Sequence, residues 1–126
     1  MRDMVRAAAV PLNSQSGDIE GNLERISAAA REVSAAGAQI ALFPELSVTG
    51  FLPNHPLGDH GQWLRQALQA ARACAQRIPG PVTEALAGIA KEAGLLIAAG
   101  LLEDTGNVLH NTHVLVGPEG LLGASR

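Results

Sequence analysis

The chain has 126 residues, 47% hydrophobic and 17% charged, with a formal net charge of −3. That length holds one domain able to bury about two-thirds of its extended-chain surface, and the composition excludes a disordered chain or a basic field for nucleic acid. One cysteine excludes an internal disulfide; with no basic leader and no apolar run long enough for a bilayer, no membrane association is expected and the cytoplasm is the expected compartment.

Val5 to Leu12 is a short apolar run closed by Pro11 and Asn13, expected as a buried first strand. Asp18 can cap a helix in which Leu23, Ile26, Ala30 and Val33 recur at three- and four-residue intervals, with Gly37 as its stop. Gln39 to Phe43 reads as the next strand. Strand, helix and strand in this length predict two parallel neighbours and an α/β front half.

Pro44 stops the apolar run Ile40 to Phe43, having no N–H for a ladder, and Glu45 follows at once. A carboxylate there sits at the rim where open α/β sheets build their sites, and apolar neighbours would disfavour its charged form and raise its pKa toward the range useful to a general base. The bland alternative is a solvated loop glutamate.

From Gly50 to Gly61 glycines and prolines interrupt regular structure, giving a loop expected to wall the site and to carry His55 and His60 as substrate-contact candidates; exposed loop histidines are the competing reading. A helix is predicted from about Gln62 to Ile78, with Leu64, Leu68, Ala71, Ala75 and Ile78 on one seam and Trp63 as its anchor. Pro81 starts another, with Val82, Leu86, Ile89 and Ala93 inward and Gly94 as its end. Leu95 to Leu102 is an almost wholly apolar strand, Asp104 to Asn107 a hairpin turn, Val108 to Val116 an alternating strand, and Gly117 to Gly120 a second turn into a strand from Leu121 to Arg126. The whole predicts one mixed sheet with helices on one face.

Phe43-Pro44-Glu45-Leu46 followed by Thr49-Gly50-Phe51 resembles the first catalytic block of the nitrilase superfamily, the carbon-nitrogen hydrolases. Val10-Pro11-Leu12-Asn13, Gly17-Asp18-Ile19-Glu20-Gly21-Asn22, Leu95 to Leu102, Asn111-Thr112 and Gly117-Pro118-Glu119-Gly120 resemble further words of that family in the same order. The resemblance implies the N-terminal half of an α-β-β-α sandwich, with residues 1–126 forming the N-terminal part of a single hydrolase domain cut short at its C-terminus. It implies Glu45 as the general base of a Glu-Lys-Cys triad acting on a small amide, carbamoyl or nitrile substrate, with no cofactor or metal and a homo-oligomeric protein. Arg126 matches the residue before the family's lysine, and the cysteine lies further along still, so the chain alone is expected to be inactive.

No other residue fills those roles. Cys74, in the C-terminal half of a helix, reads as a small core residue, and Lys91, near Glu84 and Glu92, as part of a solvated face. His110 and His113, three apart in a strand, point to opposite faces and cannot share an ion without a bulge. Glu103 and Asp104 read as solvated turn residues. The reading from a different class is a non-catalytic folding module or partner subunit that keeps the architecture and has lost the chemistry.

Overall fold

A computed structural model describes residues 3–52 and 58–126. Five strands, β1 (Ala7–Ala9), β2 (Ile40–Leu42), β3 (Leu96–Asp104), β4 (Leu109–Gly117) and β5 (Gly120–Ser125), form one sheet in chain order. The helices are α1 (Ile19–Ala35), α2 (His60–Cys74) and α3 (Pro81–Ala93). The pairs β1–β2 and β2–β3 are parallel, because a helix crosses between them; β3–β4 and β4–β5 are antiparallel, because tight turns join them. The sheet is mixed, as expected.

Local chemistry explains the helix ends. Asp18 Oδ1 accepts from the Gly21 amide at 3.1 Å and caps α1, and Gly37, at φ 93°, turns the chain away after it. Pro81 opens α3 behind Gly80, whose N–H donates to Thr83 Oγ1 at 2.9 Å, and Gly94 closes it in the left-handed conformation.

Helices α1 and α3 pack on one face of the sheet. Ile26, Ala30, Val82, Leu86 and Ala90 meet Ile97, Ala99, Leu101, Val114 and Val116, all buried in one cluster. Pairing puts Ile97, Ala99, Leu101 and Glu103 on this helix-side face with Val116, Val114, Thr112 and His110. Ala98, Gly100 and Leu102 lie on the other face with Leu115, His113 and Asn111.

Three expectations need correction. The first strand has three paired residues rather than eight and lies at the sheet edge with Ala7 and Ala9 exposed, since only β2 covers it. Helix α2 starts at Asp59, whose carboxylate accepts from the Gln62 amide, and stops at Cys74, where the chain extends so that Gln76 can bridge to Glu103 on β3. It buries the small residues Ala67, Ala71 and Cys74, while Leu64 and Leu68 are 42% and 47% exposed. Third, Glu103 is no solvated turn residue: it is 4% exposed at the end of the helix-side face. Arg126 grips both its oxygens at 2.8 Å, and the Thr112 hydroxyl donates to it at 2.9 Å.

The Arg126 guanidinium holds the Glu103 carboxyl below the usual glutamate value, against the upward push of burial and with help from Thr112. A carboxyl with a lowered folded pKa contributes stability that is fully present above its unfolded value, about 4.5, and lost as pH falls through the folded value. Urea titrations from pH 6 to pH 2 should therefore show a steeper loss of stability for the parent than for Glu103→Gln; parallel curves would show that the pair does not contribute. A second expectation concerns the face away from α1 and α3, where Leu42 is 44% exposed and β5 has an unpaired edge. The 126-residue chain should self-associate in sedimentation experiments, and a monodisperse monomer with cooperative unfolding would rule this out.

Candidate active site

Beyond β2 the chain stays against β3 but leaves the ladder. Phe43 N–H still donates to the Ala98 carbonyl at 2.8 Å; then residues 44–50 fold into a turn that carries Glu45. This turn lies directly on β3 at Gly100. A Cβ there would come within 2.3 Å of the Leu46 nitrogen, so no other residue fits without moving the turn. Leu46 itself adopts φ 52°, a left-handed backbone that costs a β-carbon-bearing residue about 1 kcal/mol or more, and its side chain is buried at 8% exposure.

Hydrogen bonds hold the strained turn from two sides. Toward β3, the Val48 amide donates to the Gly100 carbonyl at 2.8 Å. Gly100 N–H donates to Ser47 Oγ at 3.0 Å and Leu102 N–H to Thr49 Oγ1 at 3.1 Å. The two hydroxyls replace the carbonyls that a regular neighbouring strand would present, which keeps the β3 amides satisfied. Toward α1, the Asn22 carboxamide is wholly buried and uses all its capacity. Its Nδ2 donates to the Gln15 and Val48 carbonyls, each at 2.8 Å, and its Oδ1 accepts from Gln15 N–H at 2.8 Å and Arg25 Nη1 at 3.0 Å. Ser14 Oγ adds a bond to the Ser47 carbonyl at 2.6 Å.

Glu45 stands out of this clamped turn. The apolar enclosure expected around it is not formed by the described residues: the side chain is exposed, and Asn111 Nδ2 on β4 donates to its Oε1. The difference arises because the turn presents Glu45 over the open face of the sheet, away from the core built under α1 and α3. Asn111 and Asn22 are both contacts that the sequence motifs contained without revealing. The signal for Asn22 was its place one helical turn after the cap Asp18; for Asn111 it was strand alternation, which puts it with Gly100's neighbours on the Glu45 face.

The other candidates do not join this cluster. His60 is the first residue of α2 rather than a loop residue, and its ring lies 5.8 Å from that of Trp63, which is half-buried. His55 lies outside the described residues. Cys74 is buried, its thiol pushed up by that burial, with Sγ 3.5 Å from the Ala71 carbonyl. Lys91, Glu84 and Glu92 are exposed on α3. His110 and His113 pair with Glu103 and Gly100 and so face opposite sides. Among the described residues no group of three or more His, Cys, Asp or Glu could hold a metal, and no helix is long and apolar enough to cross a membrane.

With the fold and the turn in place, the sequence profile of the carbon-nitrogen hydrolases matches residues 6–126. The chain belongs to that family. It is 36% identical over 125 residues to an aliphatic nitrilase of Sinorhizobium fredii and 34% identical over 124 residues to a nitrilase of Pyrococcus abyssi. These alignments cover 96% and 98% of this chain but 41% and 43% of the two relatives, so the chain spans about two-fifths of their length. An amidase of the nitrilase superfamily from Nesterenkonia sp. AN1 superposes with a TM-score of 0.69 at 24% identity, over 97% of this chain and 42% of the amidase. That likeness establishes the fold, an α/β arrangement consistent with an N-terminal half of the nitrilase-like sandwich.

Removing the clamp should loosen the turn before the sheet. Asn22→Leu keeps the branched shape but strands the Gln15 and Val48 backbone groups, so it should cost at least about 2 kcal/mol in urea unfolding. Amide exchange should quicken first at Val48 and Gly50. A loss below about 1 kcal/mol would mean that Asn22 is not the turn's anchor.

Proposed function

We propose that this chain is the N-terminal part of a hydrolase of non-peptide carbon-nitrogen bonds in which Glu45 is the general base. The observation that carries the reading is Glu45 itself: a carboxylate raised on a clamped, strained turn at the end of β2, held by Asn111 over an open sheet face. Carboxylates fixed this firmly at sheet rims are suited to proton transfer, which depends on hydrogen-bond reach and orientation. Cys74 is buried, so the nucleophilic thiol is assigned to the family region that lies beyond the two-fifths spanned here. A solved structure of a mutant of the Nesterenkonia sp. AN1 amidase shows the result of Michael addition of acrylamide at the active-site cysteine of that protein.

In the proposed reaction Glu45 takes the thiol proton and the thiolate forms a bond to the amide, carbamoyl or nitrile carbon. For an amide, the carbon-nitrogen bond breaks as Glu45 returns the proton to the departing amine, leaving a thioester. For a nitrile, addition breaks one carbon-nitrogen π bond and the proton goes to nitrogen; a first water, deprotonated by Glu45, adds to the resulting thioimidate carbon, and ammonia departs with both of that water's protons to leave the same thioester. Glu45 then takes a proton from water, whose oxygen attacks the thioester, and the carbon-sulfur bond breaks as Glu45 returns that proton to the sulfur, releasing the acid and restoring the thiol and the base. The family's lysine supports the oxyanion. The register of β4 and β5 favours this assignment: His113 pairs with Ser125 and Val114 with Ala124, so a strand continuing past Arg126 would set its next residue beside Asn111. Strand alternation turns that side chain away from Glu103 and toward the Glu45 face. The nitrilase names of the sequence relatives make a nitrile the first substrate to try, before an amide.

The test requires a chain that continues through the rest of the family domain, assayed by ammonia release from propionitrile and propionamide. Glu45→Gln keeps an acceptor for Asn111 but removes the base, so turnover should fall about a hundredfold to ten-thousandfold. Because Glu45 is exposed, its melting temperature should barely move. Turnover within a few-fold of the parent would sink the assignment. The 126-residue chain alone should release no ammonia from either compound.

A further inference from the structure

We infer that Asn111 is a positioning residue for the Glu45 base, dividing the carboxylate so that Oε1 is occupied and Oε2 is presented for proton transfer. The inference rests on the proposed role of Glu45 and goes beyond it to a second residue. Asn111 is 66 positions from Glu45, and Nδ2 donates to Oε1. Among the described residues Oε2 has no hydrogen-bond partner.

Both ends of the contact stand on backbone held by hydrogen bonds. Glu45 rides the turn pinned by Asn22, Ser47 and Thr49, and Asn111 is paired in β4 with Leu102 of β3. The glycine at position 100, one strand over, is what lets the turn come close enough for Glu45 to reach β4. With both backbones fixed, the bond needs only two side chains to be ordered, and it selects one carboxylate rotamer from several. A carboxylate is acceptor-only when ionised, so the amide must turn its NH2 toward it, and the carbonyl Oδ1 is left pointing away. Asn111 therefore orients the base without competing for its proton.

The decisive experiment is a double-variant cycle in the extended chain, with ammonia release from propionitrile as the assay. Asn111→Leu should lower kcat about tenfold to a hundredfold with KM nearly unchanged, the scale of a misplaced catalytic group. Asn111→Asp, equal in size but without the donor, should do the same. In the Glu45→Gln background, Asn111→Leu should cost no further turnover, since there is no base left to orient. Equal losses in both backgrounds, or an effect confined to KM, would overturn the inference while leaving Glu45 as the base. If Glu45→Gln itself turns over like the parent, both assignments fall together. Asn111 is exposed, so thermal unfolding of the variants should match the parent; a loss of kcat that simply tracks a lowered melting temperature would also overturn it.

Discussion

The close passage of the Pro44 to Leu46 backbone over Gly100 is the constraint on which the rest of this molecule depends. With 2.3 Å between a notional Cβ and the Leu46 nitrogen, the strand must carry glycine at that point. The contact brings the Ser47 and Thr49 hydroxyls and the Val48 amide within bonding range of β3. Burial of Leu46 and this set of bonds together offset its left-handed backbone. Strain here is local, sits next to the carboxylate and is held by identifiable partners.

Strand alternation separates the core from the proposed site. On the helix-side face, Ile97, Ala99 and Leu101 build the core, and Glu103 ends the row as a charge kept ionised by Arg126. On the other face, Gly100, Asn111 and the Glu45 turn lie together. One residue of register slip in β4 would exchange the two sets, placing Asn111 in the core and Val114 under the turn, so the hydrophobic pattern that secures the fold also secures the site.

Much of this was legible because it was written in period and punctuation. Asp18, Pro81 and Gly94 marked helix ends correctly, and the alternation read from Val108 to Val116 matched the strand Leu109–Gly117 to within one residue at each end. Glu45 stood out because it follows Pro44. The misses share a cause: they depend on partners far along the chain. The seam expected for the helix after the loop ran through Leu64, Leu68, Ala71, Ala75 and Ile78, but the chain leaves the helix at Cys74 to join β3 at Gln76, and within the helix Ala71 is buried with Ala67 and Cys74 while Leu64 and Leu68 are exposed. Glu103 looked like a turn residue because the strand was ended too soon; its partner Arg126 is 23 positions away. Asn22 and Asn111 were visible as words, but the bonds that give them meaning span 26 and 66 residues.

The buried amide of Asn22 bears on how transferable the turn is. It joins Gln15, Arg25 and Val48, while Gly50 packs against the Gln15 backbone so closely that a Cβ would stand 2.5 Å from the Gln15 oxygen. The turn is thus a cast taken from three other segments of the chain. A peptide of residues 40–51, or a graft of that segment onto another sheet, would carry the family's signature word without the surfaces that mould it, and its glutamate would be an ordinary solvated side chain.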